Sequence, residues 1–203
     1  EMEHDLQTSV NKVEKVVKEM VNVLASTAEK RDPYIVGHQK RVTQLACEIA
    51  SVIGLSPQQV DAISVAGVLH DIGKIAVPAE ILNKPGKLNE LEMGLIRVHA
   101  QVGYDILKQI PFELPVADIV LQHHERIDGS GTPHRLKGRD IMLEAKILAV
   151  ADVVEAMASH RPYRPAHGIK KALSEIKQNK GRLYDRAAVN ACLAAFRKGF
   201  SFN

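Results

Sequence analysis

An apolar run from Ile63 to Leu69 ends in an adjacent imidazole and carboxylate, His70 and Asp71, with Gly73, Lys74 and Pro78 following. Such a pair can hold a metal, or it can simply satisfy the last carbonyls of a helix. Five further positions decide between these. His38, His99, His123, His124 and Asp152 each lie on or at the end of a segment that is otherwise apolar. A carboxylate such as Asp152 inside an apolar helix is costly unless it is paired or coordinated. The seven positions supply five imidazoles and two carboxylates, the donor set that borderline first-row divalent metals accept. That is too many donors for one tetrahedral ion and suits two ions sharing a bridge. A carboxylate bridges where an imidazole rarely does, which singles out Asp71.

Helices must position these groups. Asp32-Pro33 is an N-cap followed by proline, and the helix it opens is expected to carry His38 and to run through Val42, Leu45, Ile49 and Val52 to Gly54. Ser56-Pro57 starts the helix that delivers His70. Asn89 with Glu92 forms a capping box for a helix with Ile96, His99, Val102 and Ile106 on one face. Pro111 and Pro115 interrupt the chain, and a short helix from Val116 brings His123 and His124 to its end. Residues 128–133, Asp-Gly-Ser-Gly-Thr-Pro, read as a loop. A helix over 141–158, apolar nearly all round, is expected at the centre with Asp152 in its middle; helices over 169–177 and 185–198 close the domain. No strand-like alternation interrupts the pattern, so the fold class is all-α.

Composition excludes several functions. A chain of 203 residues, 45% hydrophobic, can bury a core as one domain. Its 27 basic against 24 acidic residues are too balanced to argue for a nucleic-acid polymer. Aromatics are 4% and Trp is absent, so no stacking platform for single strands exists. No apolar run approaches the roughly 18 residues of a membrane span. Cys47 and Cys192 read as buried thiols in a reducing cytoplasm.

From Arg31 to about Phe200 the chain resembles the HD-GYP subgroup of the HD phosphohydrolase superfamily. The likeness is carried by Arg-Asp-Pro-Tyr-Ile-Val-Gly-His (31–38), Leu-His-Asp-Ile-Gly-Lys-Ile-Ala-Val-Pro (69–78) and Ile-Leu-Asn-Lys-Pro-Gly (81–86). It continues through His99, His-His-Glu-Arg-Ile-Asp-Gly-Ser-Gly (123–131), Val-Ala-Asp-Val (150–153) and Arg-Pro-Tyr-Arg (161–164). The resemblance implies a compact helical HD-domain bundle that hydrolyses cyclic di-GMP to linear pGpG or GMP. It further implies that His38, His70, Asp71 and Asp152 hold one metal and that Asp71, His99, His123 and His124 hold the other. Lys74 would face the scissile phosphate, Arg161 and Arg164 would meet phosphate or guanine, and Gly131 and Thr132 would line the substrate. A water held between two such ions becomes hydroxide near neutral pH. Iron or manganese stands ahead of zinc, nickel or magnesium.

Two departures stand out. The turn 32–37 lacks the Glu with which some members hold a third metal, so two ions are expected. Thr132 replaces the tyrosine of the Gly-Tyr-Pro motif, which removes an aromatic face from the substrate loop.

Leu6, Val10, Val13, Val17, Met20, Leu24 and Thr27 form a heptad seam. Residues 1–30 therefore read as a signalling helix, able to pair two copies, and 31–203 as the phosphohydrolase domain. A chain opening on Glu1 reads as part of something longer, with an upstream sensory or receiver module implied by the resemblance. Two other functions compete: another HD phosphohydrolase acting on nucleotides, and a non-catalytic cyclic dinucleotide-binding module. The His123-His124 pair and the loop after it disfavour the first, and the intact donor set the second. His4, His134, His160 and His167 are expected on the surface, while Glu125 and Asp128 either orient donors or cap a turn.

Overall fold

The computed structural model describes residues 2–29, 37–159 and 168–202. Its helices are α1 (Met2–Glu29), α2 (His38–Ile53), α3 (Pro57–Leu69), α4 (Ala79–Leu82), α5 (Glu90–Arg97) and α6 (His99–Leu107). They continue with α7 (Val116–Gln122), α8 (Leu143–Ala158), α9 (Ile169–Gln178) and α10 (Arg186–Arg197), and a 3-10 turn covers Ile72–Ala76. Among the described residues there is no strand, only isolated bridges between Asp128 and Lys137 and between Lys180 and Tyr184. None of the described helices is long and apolar enough to cross a membrane.

Local chemistry accounts for the helix ends. Ser56 accepts from the Gln59 amide at 3.3 Å while the Gln59 side chain accepts from Ser56 N at 3.2 Å. Asn89 and Glu92 repeat this reciprocal cap, both bonds at 2.9 Å. Asp185 accepts from the amides of Ala187 and Ala188 to start α10. Gly54, at φ 87°, ends α2 in the left-handed conformation that glycine adopts without strain.

α8 runs through the middle, packed against α2, α3, α7, α9 and α10. Ile147, Leu148, Val150, Ala151 and Val154 on it are fully buried, with Leu45, Ile49, Ile63 and Ile119 from the surrounding helices. A helix buried on nearly every side cannot present its polar residues to water, so Asp152 and Glu155 are held inside. Phe196, Phe200 and Phe202 pack edge to face at the C-terminal end.

Two expected elements are corrected. The helix bearing His38 begins at His38 itself, with Gly37 as its N-cap at φ 76°; Asp32 and Pro33 lie outside the described residues. The helix capped by Asn89 stops at Arg97, and a second one starts at His99 after a turn at Val98. The inward face of α6 is His99, Ala100, Gly103 and Leu107 rather than the expected seam through Ile96, Val102 and Ile106. The rotation lets α6 lie against the 3-10 turn, where a Cβ on Gly73 would fall 1.9 Å from the His99 carbonyl oxygen.

α1 docks on α3 and the 3-10 turn, with Ala25 buried and Val21 partly so. Met20, Leu24 and Thr27 of the expected seam are exposed, as are Val16 and Val23. The seam's Leu6, Val10, Val13 and Val17 side chains lie outside the described set. Cys192 is buried and Cys47 half-buried, both as free thiols.

Candidate metal centre

Of the seven donor residues, all but Asp152 sit at helix ends. His38 and His99 open α2 and α6, His70 and His123 follow α3 and α7 as caps, and Asp71 and His124 come next in the chain. The last carbonyls of a helix have no partner within it, and three of the imidazoles use them. His70 Nδ1–H donates to Gly67 O at 2.8 Å, His99 Nδ1–H to Ile96 O at 2.6 Å, and His123 Nδ1–H to Val120 O at 2.5 Å. Each ring folds back over the helix preceding it. That bond places the proton on Nδ1 and leaves the Nε2 lone pair aimed inward.

The inward atoms converge. Donor atoms of His38, His70 and Asp152 lie within 4.8 Å of one another, as do those of His99, His123 and His124. Between the two groups stands Asp71, with Oδ2 3.5 Å from His70 Nε2 and Oδ1 3.5 Å from His99 Nε2. His99 Nε2 faces His123 Nε2 at 3.4 Å. With both protons committed to backbone carbonyls, two lone pairs point at each other there, a repulsion that a cation removes. The donor set, its burial and this opposition all fit divalent metal.

Burial disfavours the charged form of every group here, and neighbours decide the outcome. For His123 burial, reinforced by the adjacent imidazoles of His124, His70 and His99, holds the ring well below the usual histidine range. His124 is pushed down to about 3, first by burial and then by His99. Burial likewise lowers His99 despite the pull of Asp71. These rings are neutral near pH 7, the state a metal requires. His38 behaves oppositely: burial works against its charge, but Asp152 at 3.3 Å from Nε2 and Glu155 at Nδ1 raise it to about 9. Burial opposes ionisation of Asp71, yet Lys74 and the histidines hold it well below the carboxylate range. For Asp152, His38 overcomes burial in the same direction.

Lys74 Nζ sits 2.7 Å from Asp71 Oδ2, the nearest fixed positive charge to that carboxylate among the described residues. Gly131 is buried where a Cβ would fall 2.3 Å from Arg126 N, so only glycine lets the loop close on the chain after His124. Thr132 N donates to His124 O at 3.3 Å, tying the loop to a donor residue. Arg161 and Arg164 lie outside the described residues, with His160 and His167. Glu125 accepts from the amides of His134 and Leu136 at 2.7 and 3.0 Å, and Asp128 from Ser130 N at 2.9 Å. Both therefore build the loop. His134 is exposed. Sequence reasoning missed the buried Glu155 and the half-buried Arg41, which join His38 in one cluster; the available signal was a second acid three residues after Asp152 on a helix with no polar face.

The sequence pattern of the HD domain family matches residues 22–188. The chain is 43% identical over 194 residues to the cyclic di-GMP phosphodiesterase response regulator RpfG of Xanthomonas campestris pv. campestris, covering 95% of this chain and 51% of that protein. It is 41% identical over 177 residues to the cyclic di-GMP phosphodiesterase of Thermotoga maritima, covering 86% and 48%. The chain thus spans about half the length of both relatives. Its fold superimposes on the cyclic GMP-AMP specific phosphodiesterase V-cGAP3 of Vibrio cholerae with a TM-score of 0.67 and 17% identity, over 88% of this chain and 49% of that one.

Proposed function

The chain belongs to the HD domain family, and on that footing we propose that it is a metal-dependent phosphodiesterase of the HD-GYP type, cleaving cyclic di-GMP. The carrying observation is the buried array of imidazole and carboxylate donors in two groups with Asp71 between them. His38, His70, Asp71 and Asp152 would hold one ion; Asp71, His99, His123 and His124 would hold the other. Iron or manganese suits this nitrogen-rich set. Bound there, divalent cations supply Lewis acidity toward a phosphodiester and the water that attacks it.

The protein's own groups do the rest. The neutral imidazoles leave the site net positive once it is loaded, which attracts an anionic diester. Lys74 places an ammonium beside Asp71, within reach of phosphate charge. The loop of Gly131 and Thr132, fastened to His124, would meet the nucleotide, and Arg161 and Arg164 would clamp phosphate or guanine. Losing the motif's tyrosine at Thr132 loosens the grip on guanine and admits a related cyclic dinucleotide. The organisation we propose is a signalling helix over 1–30 and a phosphohydrolase domain over 31–203. That helix pairs two copies and links, in the cytoplasm, to an upstream sensory or receiver module.

The test is elemental analysis of reconstituted protein combined with identification of the product from cyclic di-GMP. About two equivalents of metal and release of pGpG or GMP are expected, and Asp71→Ala should lose most metal and all turnover. Folded, metal-free protein that still hydrolyses the substrate would overturn the mechanism. Metal-loaded protein that binds cyclic di-GMP without cleaving it would leave a binding module instead.

A further inference from the structure

Glu155 is 1% exposed and lies one turn beyond Asp152 on α8. It is absent from the groups of donor atoms close enough to share an ion. Its oxygens are engaged elsewhere. Oε2 accepts from His38 Nδ1, on the ring edge away from Nε2, which faces Asp152 Oδ1 at 3.3 Å. Oε1 accepts from Arg41 Nε at 2.7 Å, from its Nη2 at 2.6 Å and from Ser159 Oγ at 2.6 Å.

The reason is visible in the other rings. His70, His99 and His123 each give the Nδ1 proton to a carbonyl three residues back, at the end of a preceding helix. His38 gives its Nδ1 proton to a side chain instead, the carboxylate of Glu155 from the facing helix α8. Glu155 thus does for His38 what a backbone carbonyl does for each of the other three rings. Arg41, one turn along α2, supplies the counter-charge that makes a buried carboxylate tolerable there. Gly37 leaves the space, since a Cβ on it would sit 2.9 Å from Arg41 Nη1.

We propose that Glu155 is a positioning residue of the metal centre, holding His38 in the tautomer and orientation that present Nε2, with Arg41 holding Glu155. The inference rests on the metal-centre reading given under Proposed function. Groups in this position contribute about 10–100-fold to metal affinity. Because Glu155 touches His38 and none of His99, His123 and His124, only one of the two ions should respond.

Metal-free wild type, Glu155→Gln and Glu155→Leu would be titrated with Mn2+ and Zn2+ against a chromophoric chelator, and the Co2+-loaded proteins compared by visible spectrum. Gln keeps an acceptor without charge and should weaken one equivalent about tenfold; Leu keeps neither and should weaken it about a hundredfold. The other equivalent should bind as in wild type, and the cobalt bands of one site alone should shift. Wild-type affinity in the Gln variant overturns the inference even where the Leu variant does not fold. Equal weakening of both equivalents, as from a merely structural residue, also overturns it. An equivalent lost at every metal concentration makes Glu155 a ligand and overturns it too. Wild type that takes up no metal overturns the metal centre as well.

Discussion

Lys74 and a metal ion compete for the same carboxylate, since its ammonium lies 2.7 Å from Asp71 Oδ2. Lys74→Ala should therefore keep both ions or bind them more tightly. Turnover should fall about a hundred- to a thousandfold, as when one electrostatic donor to a transition state is removed. Elemental analysis beside kinetics separates the two effects, and metal lost together with the lysine would show its assignment to be wrong. His38 carries the pH dependence of the metal-free protein. Burial opposes its charge, but Asp152 and Glu155 raise it from 6.5 to about 9. A raised folded-state value means that this contribution is complete below about 6.5 and is lost as pH climbs toward 9. His124, pushed down to about 3 by burial and His99, acts oppositely and costs stability as pH falls below 6.5. Chelator-stripped protein should thus melt highest near pH 6.5, and loaded protein, in which metal takes the place of the second proton at His38 Nε2, should lack the alkaline decline. A flat melting profile of the stripped protein from pH 6.5 to 9 would contradict this. Thr132 bears on substrate rather than metal. Base stacking on an aromatic ring contributes about 1–3 kcal/mol, so Thr132→Tyr should lower KM for cyclic di-GMP about tenfold to a hundredfold and leave kcat nearly unchanged. An unchanged KM would remove that loop from guanine recognition. At this scale the donors were legible because polar residues on apolar helices are costly. Glu155 was not, since an acid in the last turn of a helix reads as solvated even where the helix itself is central.

Helices were read from the sequence most surely where caps are chemical. Ser56 and the Asn89–Glu92 box cap the helices they were expected to start, and Asp185 caps the last helix at its expected beginning. Breaks without such a signal were illegible: the turn at Val98 separates two segments that share one apolar period, and only packing on the 3-10 turn decides the rotation of α6. That contact yields a prediction. A Cβ at Gly73 would fall 1.9 Å from His99 O and 2.6 Å from Gly103 N, both backbone atoms that cannot swing aside. Gly73→Ala should cost about 1–3 kcal/mol or more by overpacking, and should displace His99, weakening metal binding on its side. Gly94, on α5 with nothing within 4 Å of its would-be Cβ, is the control. Gly94→Ala should be neutral or should stabilise by up to about 1 kcal/mol. Chemical denaturation with metal titration reads both variants, and equal stability of the two would refute the close-approach role of Gly73.

At the scale of the molecule, α1 is the element the domain leaves uncovered. It runs 28 residues, about 40 Å at 1.5 Å per residue, and it docks on α3 and the 3-10 turn, with Ala25 buried near its C-terminal end. Val16, Met20, Val23 and Leu24 stand on it between 48% and 61% exposed. Four large apolar side chains along one face are more than a solvated helix carries without reason. Their neighbours Lys12, Lys15 and Glu19 flank the stripe with charge, as at the margins of a two-helix seam. A second copy of α1 laid parallel would cover that stripe, and a change in its register would reach α3 and the 3-10 turn, the elements that carry His70 and Lys74. The full chain should therefore show a concentration-dependent doubling of mass by light scattering. A chain starting at Lys30 should stay monomeric. Met20→Glu should abolish the doubling at little cost to domain stability, because the residue is 61% exposed in the single chain. Equal monomeric masses for the full and shortened chains would leave the stripe without a second copy to cover it and would overturn the proposed pairing of α1.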